Sequence, residues 1–234
     1  MILHNLQQAT ILRRYKRFLA DLKLESGEEV IAHVPNTGSM RSCWAEGWPS
    51  LITQNNDPKR KLHYTLEMTH NGETWIGINT SRTNQLAVEA IKNNVIKELS
   101  DYQSLRQEFT IGESRIDLLL QSSLRPDCLV EVKNVTLREN LENKLATFPD
   151  SVTARGSKHL DTLADWAVSG KRAVMLYIIQ REDVEEFAPA VDIDPFYAKQ
   201  LKRAMELGVE VLCYRCNLSP REILVSKKLP LKKW

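Results

Sequence analysis

The sequence predicts a chain in two parts: a small all-β domain of barrel or sandwich type, then an α/β domain. Three observations point there. Over residues 1–80, short strand candidates are separated by turn signals at 25–27, 35–38, 46–49, 55–58 and 71–72. From Thr83 the apolar residues change to a helical period. Beyond that point helix and strand patterns alternate, which requires at least one parallel crossover. A boundary near residue 80, giving domains of 1–80 and 81–234, rests on the change of period, since no Gly/Ser linker marks it.

In the first part RYKRFLADLKL alternates in part, and GEEVIAHV, PSLITQ, KLHYTLEMTH and ETWIGINT follow as strand candidates. In the second, Leu86, Val88, Ile91, Val95, Ile96 and Leu99 predict a helix over 83–99. ESRIDLLL and CLVEVKNV read as strands, and a loop of about a dozen residues runs through Phe148 and Pro149. Leu160, Leu163, Ala164 and Ala167 share one face of a helix over 156–169 that stops at Gly170. AVMLYII is apolar throughout, as a strand covered on both faces must be. Asp194 and Pro195 provide an N-cap and a first-turn proline for a helix ending at Gly208, and VEVLCYR is the strand after it.

Composition sets the class. The 234 residues are 42% hydrophobic and 26% charged, ordinary for a globular protein. No apolar run reaches the roughly 18 residues of a membrane span, and the first residues lack a secretory core, so cytoplasm is the expected address and no membrane partner is expected. Cys213 and Cys216 form a CxxC, but three positions apart on a strand they point to opposite faces. Two packed thiols are expected rather than a zinc or redox pair.

A net charge of +2 says little about partners; local clusters say more. Arg13, Arg14, Lys16 and Arg17 surround Tyr15 and Phe18, and Lys59, Arg60 and Lys61 follow Pro58. Cations neutralise phosphates and rings stack on bases, so these clusters are candidate nucleic-acid contacts, with a solvated surface as the alternative. Asn36, Thr37 and Ser39 form a polar turn able to donate to phosphate, although an Asx turn is the plainer role for Asn36. Arg155, Lys158 and His159 open the 156–169 helix, where phosphate is favoured, and Arg181 ends the apolar strand.

The chemistry centres on three residues. Glu131 and Lys133 lie two apart in CLVEVKNV and share a face, and Asp117 interrupts RIDLLL fourteen positions earlier. Charges inside apolar strands are costly unless paired or used. If the strands are neighbours the three converge, and two carboxylates can hold a hard divalent cation, Mg2+ or Mn2+, with Lys133 stabilising phosphoryl charge or orienting water. The competing reading is a buried ion pair of Lys133 with Glu131 or Asp117. The pattern resembles the PD-(D/E)XK nuclease signature. Glu89, on the preceding helix, is then a candidate further metal ligand, with an exposed helical carboxylate as its alternative.

RYKRFLAD, PNTGSM, PKRKLHYT, AVEAI, SRIDLLL, EVKNVTL, FPDSVTARGSKHL, IDPFYA and GVEVLCY, in unbroken order, resemble the sugar fermentation stimulation protein A family over nearly the whole chain. The resemblance implies an OB-fold-like N-terminal barrel joined to a PD-(D/E)XK nuclease-like α/β domain. It also implies DNA binding without strong sequence preference and a link to regulation of sugar (maltose) metabolism in bacteria. Two functions are therefore expected in order: DNA binding on a nuclease-like scaffold, then divalent-metal-dependent cleavage of single- or double-stranded DNA or of RNA. Reading of specific bases is disfavoured, because no helix-turn-helix pattern stands out.

Overall fold

The computed structural model describes residues 1–140 and 142–234. Six strands form the first part: β1 (Leu6–Tyr15), β2 (Leu19–Leu24), β3 (Glu29–His33), β4 (Pro49–Gln54), β5 (Tyr64–His70) and β6 (Trp75–Gly77). Their order is β3-β2-β1-β4-β5-β6, and a parallel β3–β5 pairing closes five of them into a barrel. This is the OB-like barrel expected. RYKRFLADLKL is not one strand, however. The chain reverses at Lys16 and Arg17, both at positive φ, and Tyr15 pairs with Leu19. Paired polar residues in LQQATILRR, Gln7–Gln8 and Arg13–Arg14, break the alternation and conceal β1, whose inward residues Ala9 and Ile11 are buried with Ala20, Leu22, Leu66 and Ile76.

Two basic loops leave from strands that meet at the barrel's closing seam. His33 at the end of β3 pairs with Leu19, just after the 16–18 turn, and with Thr65, just after the 55–63 loop. β4 runs antiparallel to β1, so the 16–18 turn and the 55–63 loop leave the barrel at opposite ends of β1.

The second part is α1 (Thr83–Lys92), β7 (Ser104–Ile111), β8 (Ser114–Gln121), β9 (Cys128–Val135), β10 (Leu145–Phe148), α2 (Ala154–Val168), β11 (Arg172–Ile179), β12 (Glu186–Pro189), α3 (Pro195–Glu206), β13 (Glu210–Leu218) and β14 (Ile223–Lys228). The main sheet runs β14-β13-β11-β9-β8-β7. β11 lies parallel between β9 and β13, with α2 and α3 as the crossover helices. A helix, an antiparallel β7-β8-β9 run, a crossover helix and a parallel strand make the second part an α/β domain, as expected. The helix expected over 83–99 ends at Lys92: Asn94 is at positive φ, and Lys97–Leu99 form a separate 3-10 turn that buries Leu99. The loop before Pro149 contains β10, which pairs in parallel with β12. Thr153 caps α2 through Gly156 N–H at 3.1 Å, and Asp194 caps α3 through Tyr197 N–H at 2.9 Å. Cys213 and Cys216 are buried on opposite faces of β13, as their spacing requires.

The two parts are fused. Leu51 and Met68 from the barrel share one apolar cluster with Leu86, Ile91, Val130 and Ile178. Buried Glu67 on β5 accepts from Arg82 at 2.6 and 2.8 Å and from Asn79 at 2.9 Å, which fixes the entry into α1. No helix among the described residues is long and apolar enough to cross a membrane.

Candidate metal and nucleic-acid site

β8 and β9 are antiparallel neighbours, with Leu118 opposite Val130. One step along each strand sets Asp117 against Glu131. Asp117 Oδ2 accepts the Val132 N–H at 2.8 Å, and Oδ1 accepts from Asn84 Nδ2 of α1 at 2.8 Å. Glu131 is buried. Its Oε1 accepts from Lys133 Nζ at 2.5 Å and from His159 Nδ1 of α2. Its Oε2 is also buried, and no described residue donates to it.

The two carboxylates are tuned in opposite directions. Burial, and next the Glu131 charge, hold the Asp117 carboxyl above its ordinary value, against the Val132 and Asn84 bonds and the Lys133 charge. Burial also pushes Glu131 up, but the His159 bond and the charge and bond of Lys133 outweigh it, so Glu131 lies below its ordinary value. Beyond Lys133, Asn134 Oδ1 accepts from Gln180 Nε2 at 2.5 Å and from Thr83 Oγ1 at 3.2 Å.

Among the described residues no three His, Cys, Asp or Glu side chains form a ready-made metal cage. The donor set is two adjacent carboxylates, one with a buried oxygen lacking a donor. That suits a hard cation that keeps several waters and completes its shell with phosphate oxygen.

Asp117, Glu131 and Lys133 thus converge, and the buried ion pair weighed against the metal reading is itself present between Glu131 and Lys133. Glu89 does not join them. It accepts from the Met1 ammonium at 2.6 Å, because five positions from Asn84 turn it to another side of α1. Asn84 is the α1 residue at the site.

The cations also divide. Lys16, Arg17, Lys59 and Lys61 are exposed on two barrel loops, and Arg60 is half-buried with Nη2 3.4 Å from Thr65 Oγ1. Arg155 is exposed at the start of α2, and Lys158 pairs with Glu113 at 2.9 Å. Three candidates are corrected by burial or by their partners. Arg14 donates to the carbonyls of Arg17, Asn36, Gly38 and Ser39, so it clamps a loop instead of meeting phosphate. Arg181 is wholly buried, donating to Asp183 at 2.6 and 2.7 Å, Thr136 O at 2.7 Å and Ser42 Oγ at 3.1 Å. His159 is buried against Glu131. Its place one helical turn before Leu163 is the signal that could have placed it inward. Asn36 makes the Asx turn, accepting Gly38 N–H at 2.9 Å.

Residues 12–78 match the SfsA N-terminal OB domain, and residues 81–222 match the sugar fermentation stimulation protein RE domain. The chain belongs to the sugar fermentation stimulation protein family. A homolog of that protein from Acidithiobacillus ferrooxidans is 49% identical over 232 residues, covering 99% of each chain. Another from Shewanella baltica is 49% identical over 221 residues, covering 93% of each. Among solved structures, Pyrococcus furiosus SfsA in complex with Ca2+ superposes with a TM-score of 0.89 at 27% identity, over 100% of this chain and 98% of that one. The family thus accounts for both halves of the fold, the OB barrel and the α/β domain behind it.

Proposed function

We propose that this protein binds DNA without strong sequence preference, and that Asp117 and Glu131 hold a divalent cation, Mg2+ or Mn2+, beside the bound strand. The observation that carries the reading is the buried, donorless Glu131 Oε2 next to a second carboxylate. A buried acceptor without a donor costs about 1–3 kcal/mol, and a cation relieves both that and the repulsion between the carboxylates. The Ca2+ complex of the Pyrococcus relative supports a hard cation in this family. Exposed Lys16, Arg17, Lys59 and Lys61 on two loops of the barrel support contact with a phosphate backbone.

Lys133 favours a second reading, phosphodiester cleavage in DNA or RNA. A bound cation would lower the pKa of water and screen phosphoryl charge. The chain's own part is explicit. Val132 N–H and Asn84 orient Asp117, and His159 holds Glu131 Oε1. Lys133, partly exposed on the same oxygen, can swing to a phosphoryl oxygen.

Labelled single- and double-stranded DNA and RNA, incubated with Mg2+, Mn2+ or EDTA, test both readings in the same samples. On duplex DNA log affinity should fall linearly with log salt at about 0.9 per phosphate contact. A flat salt dependence, or strong preference for one sequence over random DNA, overturns the binding reading. Intact strands in every metal, despite binding, overturn cleavage.

A further inference from the structure

A cleft of about 270 Å³ lies between the two halves of the molecule, at the end of β9. Arg17 and the 36–38 loop wall it from the barrel; Asn134, Thr147, Asp150 and Thr153 wall it from the α/β domain. Val135 also lines the cleft, two positions after Lys133 and on the same face of β9, so the cleft lies along that strand from the Asp117–Glu131 site.

Three features mark it as built to receive something. Thr147 is 93% buried and lines the cleft, yet no described residue bonds to its hydroxyl. Asp150 packs its carboxylate so closely against Gly38 that an added Cβ would collide with Oδ2. The opposite wall is rigid in advance, because Arg14 ties down the carbonyls of Asn36, Gly38 and Ser39. Preorganised walls with an unmatched polar group are the mark of a ligand pocket.

The chemistry of the walls selects the occupant. A carboxylate inside rejects phosphate and asks for N–H or O–H donors, and a hydroxyl and an amide beside it give or accept. A nucleobase edge and a sugar hydroxyl supply such groups. A cation lines it where phosphate belongs, Arg17, and Thr153, the N-cap of the fifteen-residue α2, lines it as well. The volume lies just under that of most ligand pockets, which run from about 300 Å³, and so limits the occupant to a single small group.

We propose that this cleft takes the base and sugar of one unpaired nucleotide, so that a strand end or flap is presented to the Asp117–Glu131 site. An unpaired nucleotide enters without the cost of unstacking a paired one, so the pocket makes the protein selective for DNA structure. This rests on the nucleic-acid reading above and goes beyond it.

The test is a fluorescence-anisotropy titration in EDTA. It compares a blunt duplex with the same duplex carrying one unpaired nucleotide at the 3′ or the 5′ end, on the wild type, Thr147→Val and Asp150→Asn. The unpaired nucleotide should tighten binding about fivefold or more, the worth of one or two hydrogen bonds. Thr147→Val should bring that preference to about twofold or less, with blunt-duplex binding and melting temperature unchanged, since its hydroxyl has no partner to lose. Asp150→Asn should weaken the preference as well. Equal binding of blunt and unpaired duplexes overturns the pocket alone. A preference that survives both substitutions also overturns it. Absence of binding to any duplex overturns the nucleic-acid reading with it.

Discussion

Replacing Asp117 by asparagine separates a metal site from a structural ion pair. In the metal-free protein, Asp117 is a buried carboxylate facing Glu131, raised above its ordinary value by burial and then by that charge. Asparagine removes the charge and preserves the contacts. Its Oδ1 accepts the Val132 N–H in place of Asp117 Oδ2, and its Nδ2 meets Asn84 once the Asn84 amide turns over. The metal-free variant should therefore match the wild type or exceed it by up to about 1 kcal/mol. The response to metal should disappear. At a hundredfold excess over Kd, a cation binding only the folded state adds about 2.7 kcal/mol. For a chain of this size that is about 5–10 °C in Tm. Thermal melts of both proteins in EDTA, Mg2+ and Mn2+ read the two effects together. A wild type indifferent to metal, with an Asp117→Asn protein badly destabilised, refutes the reasoning and leaves the constellation as an internal ion pair.

Three further outcomes are expected. Lys133→Met should cost about 1–3 kcal/mol in the metal-free protein, because Glu131 keeps only the His159 bond, while the metal-induced rise in Tm persists and any cleavage is lost; loss of the metal response would instead place Lys133 in metal retention. Glu131 lies below its ordinary value, so the stability it contributes is complete above that value and drains as pH falls through the lowered one, whereas Asp117, raised, favours the folded state in acid and loses that contribution as pH rises. Denaturant midpoints from about pH 3 to 7 should thus fall less steeply toward acid for Glu131→Gln than for the wild type, and identical slopes would contradict the assignment. Arg181→Met should cost about 3–5 kcal/mol in urea unfolding, since a wholly buried guanidinium and four acceptors lose one another; a loss under about 1 kcal/mol would show that the bridge is dispensable.

The reactive centre was legible because its signal is local. Asp117, Glu131 and Lys133 interrupt strands otherwise apolar, and a period of two fixes which of them share a face. What failed depends on contacts distant in sequence. Whether Asn84 or Glu89 meets Asp117 is decided by the docking of α1 on the sheet, and both are polar residues beside the apolar stripe. Arg14 and Arg181 sit in basic or polar runs that look solvent-facing. Only the fold shows four carbonyls converging on one guanidinium and Asp183, Thr136 and Ser42 on the other. Strand β7 has mostly exposed residues at the sheet edge, and β10 and β12 are four-residue strands whose partners lie about forty positions away, so neither leaves an alternating pattern to read.

Leu51 and Met68 have a further consequence, because they lie on barrel strands yet pack with the interior of the α/β domain. Severed near residue 80, each half would bare an oily surface meant for the other, so the barrel is not a portable module to be shuffled onto other proteins. Independent domains joined by a small polar contact are free to move; these two are not. A strand gripped by the barrel loops and a cation seated at Asp117 would be held at a constant separation, as by a ruler, and the distance from the grip to the chemistry would be set by the interior of the molecule and not by the length of a tether.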